Sequence, residues 1–122
     1  MNIEDFRTYC LSFKGVHDKM PFGKATSEYD RNLLVFYVLG KWFCFVNTFD
    51  FCNVKCKTEQ IEELQDRYEG VRPGYHMNKK HWISVFFDKD VPDKTIKELV
   101  KQSYDIVVAS LSGKEKEILQ NM

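Results

Sequence analysis

Two histidines, three permanent cations and two broad aromatic rings fall within the eleven residues Arg72-Pro73-Gly74-Tyr75-His76-Met77-Asn78-Lys79-Lys80-His81-Trp82. Arg72, Lys79 and Lys80 are side chains that contact phosphates, and Tyr75, His76, His81 and Trp82 carry planar faces that stack on bases or line an apolar pocket. Asn78 completes the candidate binding set. No Asp or Glu occurs from Val71 to Phe87, so nothing in the stretch itself neutralises it. Pro73 removes a backbone donor and Gly74 weakens any helix beside it. Tyr75, Met77 and Trp82 are too apolar for a loop free in water. The chemistry reads as a binding surface. The competing reading, of equal weight, is a loop anchored in the core by those three side chains, with cations that are merely solvated.

Magnitude limits what the stretch does alone. Three phosphate contacts give a log–log salt slope of about −3, whereas strong DNA binders neutralise ~6–10 phosphates. Useful affinity requires Lys41, Lys55 or Lys57 to join the segment, or a dimer to double it.

Other chemistry is poorly served. Cys52-x-x-x-Cys56, with Cys44 elsewhere, lacks the close pairs of a zinc site, so buried thiols are the stronger reading. A Cys/His nucleophilic pair needs a depressed thiol pKa, and the apolar neighbours of Cys44 oppose that. His76 and His81 are five apart, which suits neither a helix face nor a strand face. Gly70 and Gly74 flank Arg72-Pro73 without opening a phosphate-binding helix, and Glu62-Glu63 belongs to a solvated helix face. The expectation is therefore a non-enzymatic protein with no catalytic residues, no metal and no cofactor.

The 122 residues suit a single domain, 1–122, with 112–122 as a charged tail. Lys plus Arg equals Asp plus Glu at 18 each, so overall charge predicts neither nucleic-acid nor membrane affinity. The start Met1-Asn2-Ile3-Glu4-Asp5 is polar and acidic, unlike a secretory signal, and the longest apolar runs are too short for a membrane span. A soluble, cytoplasmic protein with reduced thiols at Cys10, Cys44, Cys52 and Cys56 is expected.

Asn2 caps a first helix with Ile3, Phe6, Cys10 and Phe13 on one stripe, stopped by Gly15. Residues 14–32 read as a long surface connection, partly packed through Met20-Pro21-Phe22. Leu33–Leu39 and Trp42–Phe49 form a hairpin about a Gly40-Lys41 turn, and 52–56 alternates as a half-exposed third strand. Thr58 caps a helix carrying Ile61, Leu64 and Tyr68 inward, with Gly70 as its stop. After the basic segment, Trp82–Phe87 is a strand, and Pro92 starts a long helix that buries Ile96, Leu99, Val100, Ser103 and Val107. The order α-β-β-β-α-β-α implies a two-layer α+β fold, helices on a largely antiparallel sheet.

Assembled this way, the chain resembles the MmcQ/YjbR-like family of small bacterial proteins over nearly its whole length. The resemblance rests on Phe6-Arg7-Thr8-Tyr9-Cys10-Leu11, Pro21-Phe22, Gly40-Lys41-Trp42-Phe43, Val54-Lys55-Cys56 and Ser103-Tyr104-Asp105-Ile106-Val107. Above all it rests on Val71–Trp82, which looks like the family signature. It implies a compact α+β domain likened to secretion chaperones and to a double-wing DNA-binding fold, and no catalytic activity. Members are commonly described as predicted DNA-binding proteins, a label inherited from fold analogy. The stretch Gly23–Asn32 looks longer than the family's usual connection, and if it borders the site the mode of binding differs.

DNA binding through residues 72–82, weak and salt-sensitive, is the first expectation, as of a transcriptional regulator. The alternatives are a chaperone-like module for a protein or peptide partner and a small-anion sensor. A monomer or a homodimer fits each.

Overall fold

The computed structural model describes residues 1–47 and 50–122. Its elements are α1 (Ile3–Leu11), β1 (Val16–Lys19), α2 (Glu28–Arg31), β2 (Leu33–Val38), β3 (Lys41–Asn47), β4 (Phe51–Lys55), α3 (Thr58–Arg67), β5 (Val71–Pro73), β6 (Trp82–Phe86), α4 (Asp93–Ala109) and α5 (Gly113–Gln120). The six strands make one sheet in the order β1-β2-β3-β4-β6-β5, with every neighbouring pair antiparallel. The α+β class with an antiparallel sheet packed by helices is as expected, but two strands and two helices are additional. Among the described residues no helix is long and apolar enough to cross a membrane.

The central hairpin forms because its strands are rich in β-branched and aromatic residues. Its turn is Leu39-Gly40 rather than Gly40-Lys41: both have positive φ, 48° and 79°, as the tightest hairpin turns require. A bulge between Phe36 and Tyr37 shifts the register, and Phe43 and Cys44 both join the helix-side core. The expected partner strand ran on through Thr48 and Phe49, which lie outside the described residues.

Both outermost strands were hidden in what reads as connection. β1 is four residues long and alternates half-buried with exposed positions. It is tied down by the Arg7–Asp18 ion pair at 2.6 Å and by His17 stacked on Tyr37 at 5.0 Å. β5 contains Pro73, whose missing N–H is tolerated only at a sheet edge.

On one face of the sheet, α1 and α4 enclose the main core, where Phe6, Phe36, Phe43, Val85, Ile96 and Val100 are buried. Each such side chain contributes about 1.5–3 kcal/mol of transfer free energy. Ser103 ties α4 to the sheet, accepting from the Lys55 N–H at 2.8 Å and donating to the Phe43 carbonyl. The charged tail is a helix, α5, capped reciprocally by Ser112 and Glu115, with Leu119 buried.

The other face carries a smaller cluster of Leu33, Val35, Tyr37, Phe45 and Trp82, covered by Phe22, Tyr29 and Met77. This second cover corrects the half-exposed reading of the third strand: Cys52, Asn53 and Val54 are all buried. Two caps also differ from expectation. The N-cap of α3 is Lys57, with no side-chain cap bond, while Thr58 Oγ1 donates to the Lys80 carbonyl at 2.7 Å. Gly70 has no left-handed φ; a Cβ there would lie 3.0–3.2 Å from Lys89, Asp90 and Val91, so its need is space.

Candidate functional site

Arg72 sits opposite Ser84 in the β5–β6 pair, and residues 74–81 then form a loop closed on itself. The Gly74 N–H donates to the Trp82 carbonyl at 3.2 Å, and the Asn78 carbonyl accepts from His81 at 3.1 Å and Trp82 at 3.0 Å. Asn78 Oδ1 accepts from the Lys80 N–H at 2.9 Å, the local turn that asparagine side chains favour. Lys79 Nζ donates back to the Gly74 carbonyl at 3.2 Å. Gly74 is required by proximity, since a Cβ would stand 2.9 Å from the Trp82 Cβ and from its carbonyl oxygen. His76 has φ 59°, uncommon for a residue with a side chain and of the kind that a surrounding structure must enforce.

What enforces it is a polar network on the second face of the sheet. The Tyr75 N–H donates to Ser84 Oγ at 2.9 Å, and Ser84 in turn donates to Asn53 Oδ1. Asn53 Nδ2 reaches the Tyr75 carbonyl at 3.4 Å and the Tyr29 hydroxyl at 3.5 Å. Asn53 and Ser84 are essentially inaccessible to water, so each hydrogen bond replaces one that water would supply.

The loop presents rings outward over this base. Tyr75 is 47% exposed and packs beside an exposed His76, their centroids 4.0 Å apart. Tyr29 meets Tyr75 edge-on at 5.0 Å and His76 at 5.8 Å, and Phe51 lies behind at 5.9 Å from Tyr75. Phe86 extends the set, 4.8 Å from Phe51. Burial pushes the Tyr29 pKa up to about 12, with the neighbouring Tyr75 adding to the effect, so its hydroxyl stays protonated at neutral pH.

The predicted residues are thus sorted into different roles. Tyr75 and His76 are the exposed platform. Trp82, read from sequence as a stacking surface, is only 7% exposed; its ring packs on Phe45 at 5.3 Å, with Lys55 Nζ 5.9 Å from its centroid. Arg72 Nε donates to the Glu69 carbonyl at 2.9 Å, and Lys79 and Asn78 hold the loop. Lys80 is exposed, and among the described residues it has no ion pair. His81 is exposed at the start of α3, its Nδ1 3.5 Å from Thr58 Oγ1. Lys55 joins the segment through Trp82. Lys41 does not: it starts β3, two strands from β6, and its field falls on Glu115 of α5.

Sequence reasoning missed Tyr29, Phe51, Asn53 and Ser84. The signal for the last two was a polar residue at the centre of an apolar strand, which burial on both faces turns into a demand for partners. Tyr29 belongs to the long Gly23–Asn32 stretch, which the structure brings against the platform.

The thiols take no part. All four cysteines are free and buried, and Cys44 lies in contact with Cys10 and Cys52. Burial, reinforced by the two neighbouring thiols, pushes the Cys44 pKa well up, opposite to what a nucleophile requires. Among the described residues no group of three or more His, Cys, Asp or Glu is arranged to hold a metal ion.

Residues 11–106 match the family model YjbR. The chain is 30% identical over 101 residues to the uncharacterized protein YbdF of Escherichia coli, covering 80% of this chain and 83% of that one. It is 26% identical to the uncharacterized protein YjbR of Escherichia coli over 119 residues, 98% of each. The crystal structure of a Deinococcus radiodurans protein of family-model domain DUF419 superposes with a TM-score of 0.84 at 26% identity, covering 98% of this chain and 88% of that one. A Pseudomonas syringae crystal structure shares the fold, with a TM-score of 0.72 at 24% identity over 87% of this chain and 98% of that one.

Proposed function

The chain belongs to the YjbR family, and from that premise and the geometry of residues 72–82 we propose that it is a cytoplasmic, non-enzymatic DNA-binding protein that takes the bases of a single strand on Tyr75 and His76. One observation carries the reading: two exposed rings in contact, backed by Tyr29 and Phe51, on a loop whose backbone is pinned by Ser84 and Asn53. An exposed, rigid aromatic pair loses little conformational entropy when a base stacks on it, and every base has a π-face. Duplex readout is poorly served, because Arg72 and Lys79 are engaged with backbone carbonyls and Trp82 is buried.

Two other readings are weaker. The cavity of about 390 Å³ beside Arg72 is lined by Asp50, Glu69 and Asp88 against Arg72 and Lys89, the wrong balance for a small anion. The free sheet edges are a four-residue and a three-residue strand, the latter containing Pro73, which leaves little for an added peptide strand to pair with.

Fluorescence anisotropy with a labelled single-stranded oligonucleotide at low salt tests the reading. Binding is expected at micromolar protein, with Tyr75→Ala weakening it about tenfold, since stacking contributes ~1–3 kcal/mol per base. No binding, or binding indifferent to Tyr75→Ala, overturns it.

A further inference from the structure

The charge deficit of the 72–82 segment has an answer on the other side of the molecule. A groove of about 780 Å³ runs along α4, bordered by Tyr9 of α1 and by Lys57 at the start of α3. Lys94, Lys97 and Lys101 line it with Lys57, against two acids, Glu98 and Asp105. Its lining residues on α4 extend from Lys94 to Ala109, which is about 22 Å at 1.5 Å per residue.

An ordinary solvated helix face alternates charges at three- and four-residue spacing. Here Lys94, Lys97 and Lys101 follow one another at that spacing with Glu98 and Asp105 interleaved, so with Lys57 the lysines of the groove outnumber its acids by two. Lys101 is paired with Asp105 at 2.9 Å, and Lys97 Nζ lies 5.5 Å from the Tyr9 ring centroid. Lys57 and Lys94 are exposed and, among the described residues, have no ion pair.

This groove connects with the loop. Thr58, the residue after Lys57, donates to the Lys80 carbonyl at 2.7 Å, and the Cys56 N–H donates to the His81 carbonyl at 2.8 Å. The backbone that carries Lys80 therefore lies against the start of α3, next to Lys57 of the groove.

We propose that the nucleic-acid backbone leaving the Tyr75–His76 platform passes Lys80 and the start of α3 and continues along α4, with Lys57, Lys94, Lys97 and Lys101 as phosphate contacts. This rests on the DNA-binding reading and supplies the charge that reading lacks. With Lys80 the four lysines make five cations along the path, which at ~0.7 per phosphate for a single strand gives a log–log salt slope of about −3.5.

The test is the salt dependence of oligonucleotide binding, compared between two variants of equal net charge. Lys57→Gln with Lys94→Gln is expected to reduce the log–log slope by about 1.4, at ~0.7 per phosphate for a single strand. Lys114→Gln with Lys116→Gln, on α5, is expected to leave it unchanged. Tyr75→Ala is expected to lower affinity at every salt concentration and keep the slope. Equal slopes for the two lysine pairs overturn the α4 path while leaving the platform standing. Absence of any nucleic-acid binding by the unaltered protein overturns both.

Discussion

Ser84 donates to Asn53 across the β4–β6 pair while receiving the Tyr75 N–H at 2.9 Å, so one hydroxyl joins the sheet to the platform. Both side chains are buried, Ser84 at 1% exposure and Asn53 at 0%. Ser84→Ala strands Asn53 Oδ1 and the Tyr75 N–H together. A cost of about 2 kcal/mol is expected in denaturant unfolding. Amide exchange at Tyr75 should quicken by more than global destabilisation explains. If the stability change is within error, the network does not hold the loop.

Tyr29 leads to a prediction about alkaline pH. Its folded pKa is raised to about 12 by burial, whereas an unfolded tyrosine ionises near ~10. The folded state thus holds this proton more tightly. Its contribution to stability is complete below the unfolded value and is lost as pH rises from about 10 to 12. In an absorbance titration, Tyr29→Phe should remove a phenol that ionises near 12. The same variant should flatten the loss of stability over that interval. At neutral pH it should cost under ~1 kcal/mol, because the contact it deletes is a 3.5 Å hydrogen bond.

The contrast between Tyr75 and Trp82 shows how far the sequence can be read. Both are large rings in one basic stretch, and nothing local says that one is a platform and the other a core residue. The difference arises at β6: Trp82 pairs with Lys55 and falls into the cluster around Phe45, while Tyr75 stands on a loop above Asn53 and Ser84. The central hairpin is legible because Leu33–Val38 and Trp42–Val46 are apolar runs about a glycine turn. β1 and β5 are not, because strands of four and three residues carry too little pattern and Pro73 argues against a strand at all. Tyr29 is the sharpest case. Its place beside His76 depends on how Gly23–Asn32 crosses the second face, and no periodicity encodes that path.

Gly74 and Gly23 make a matched pair for testing the loop. A Cβ at Gly74 would meet the Trp82 Cβ and carbonyl at 2.9 Å, whereas one at Gly23 meets nothing within 4 Å. Gly74→Ala must displace backbone, so a loss of about 1–3 kcal/mol is expected, with weaker oligonucleotide binding as the platform shifts. Gly23→Ala should be neutral or stabilising by up to ~1 kcal/mol, through reduced freedom of the unfolded chain. Thermal melting of both variants checks the pair. Equal melting temperatures would mean that the loop yields where the geometry says it cannot.

Asp90 controls the entry to β5. Its carboxylate accepts from the Glu69 N–H and the Gly70 N–H, each at 2.7 Å, and thereby holds the chain just before Arg72. These two bonds favour the charged form and lower the Asp90 pKa below the ordinary carboxylate value, with Gly70 the larger cause. For a depressed carboxylate the sign is fixed: the stabilisation is present above the unfolded pKa, about 3.9, and is lost as pH falls through the folded value. Urea melts across the acid range should therefore show Asp90→Asn less stable than the unaltered chain at neutral pH, with a shallower decline below about pH 4. The two curves should converge at the acid end, where a protonated Asp90 offers no more than the amide. Parallel curves would mean that the Gly70 and Glu69 amides are held by something other than the charge.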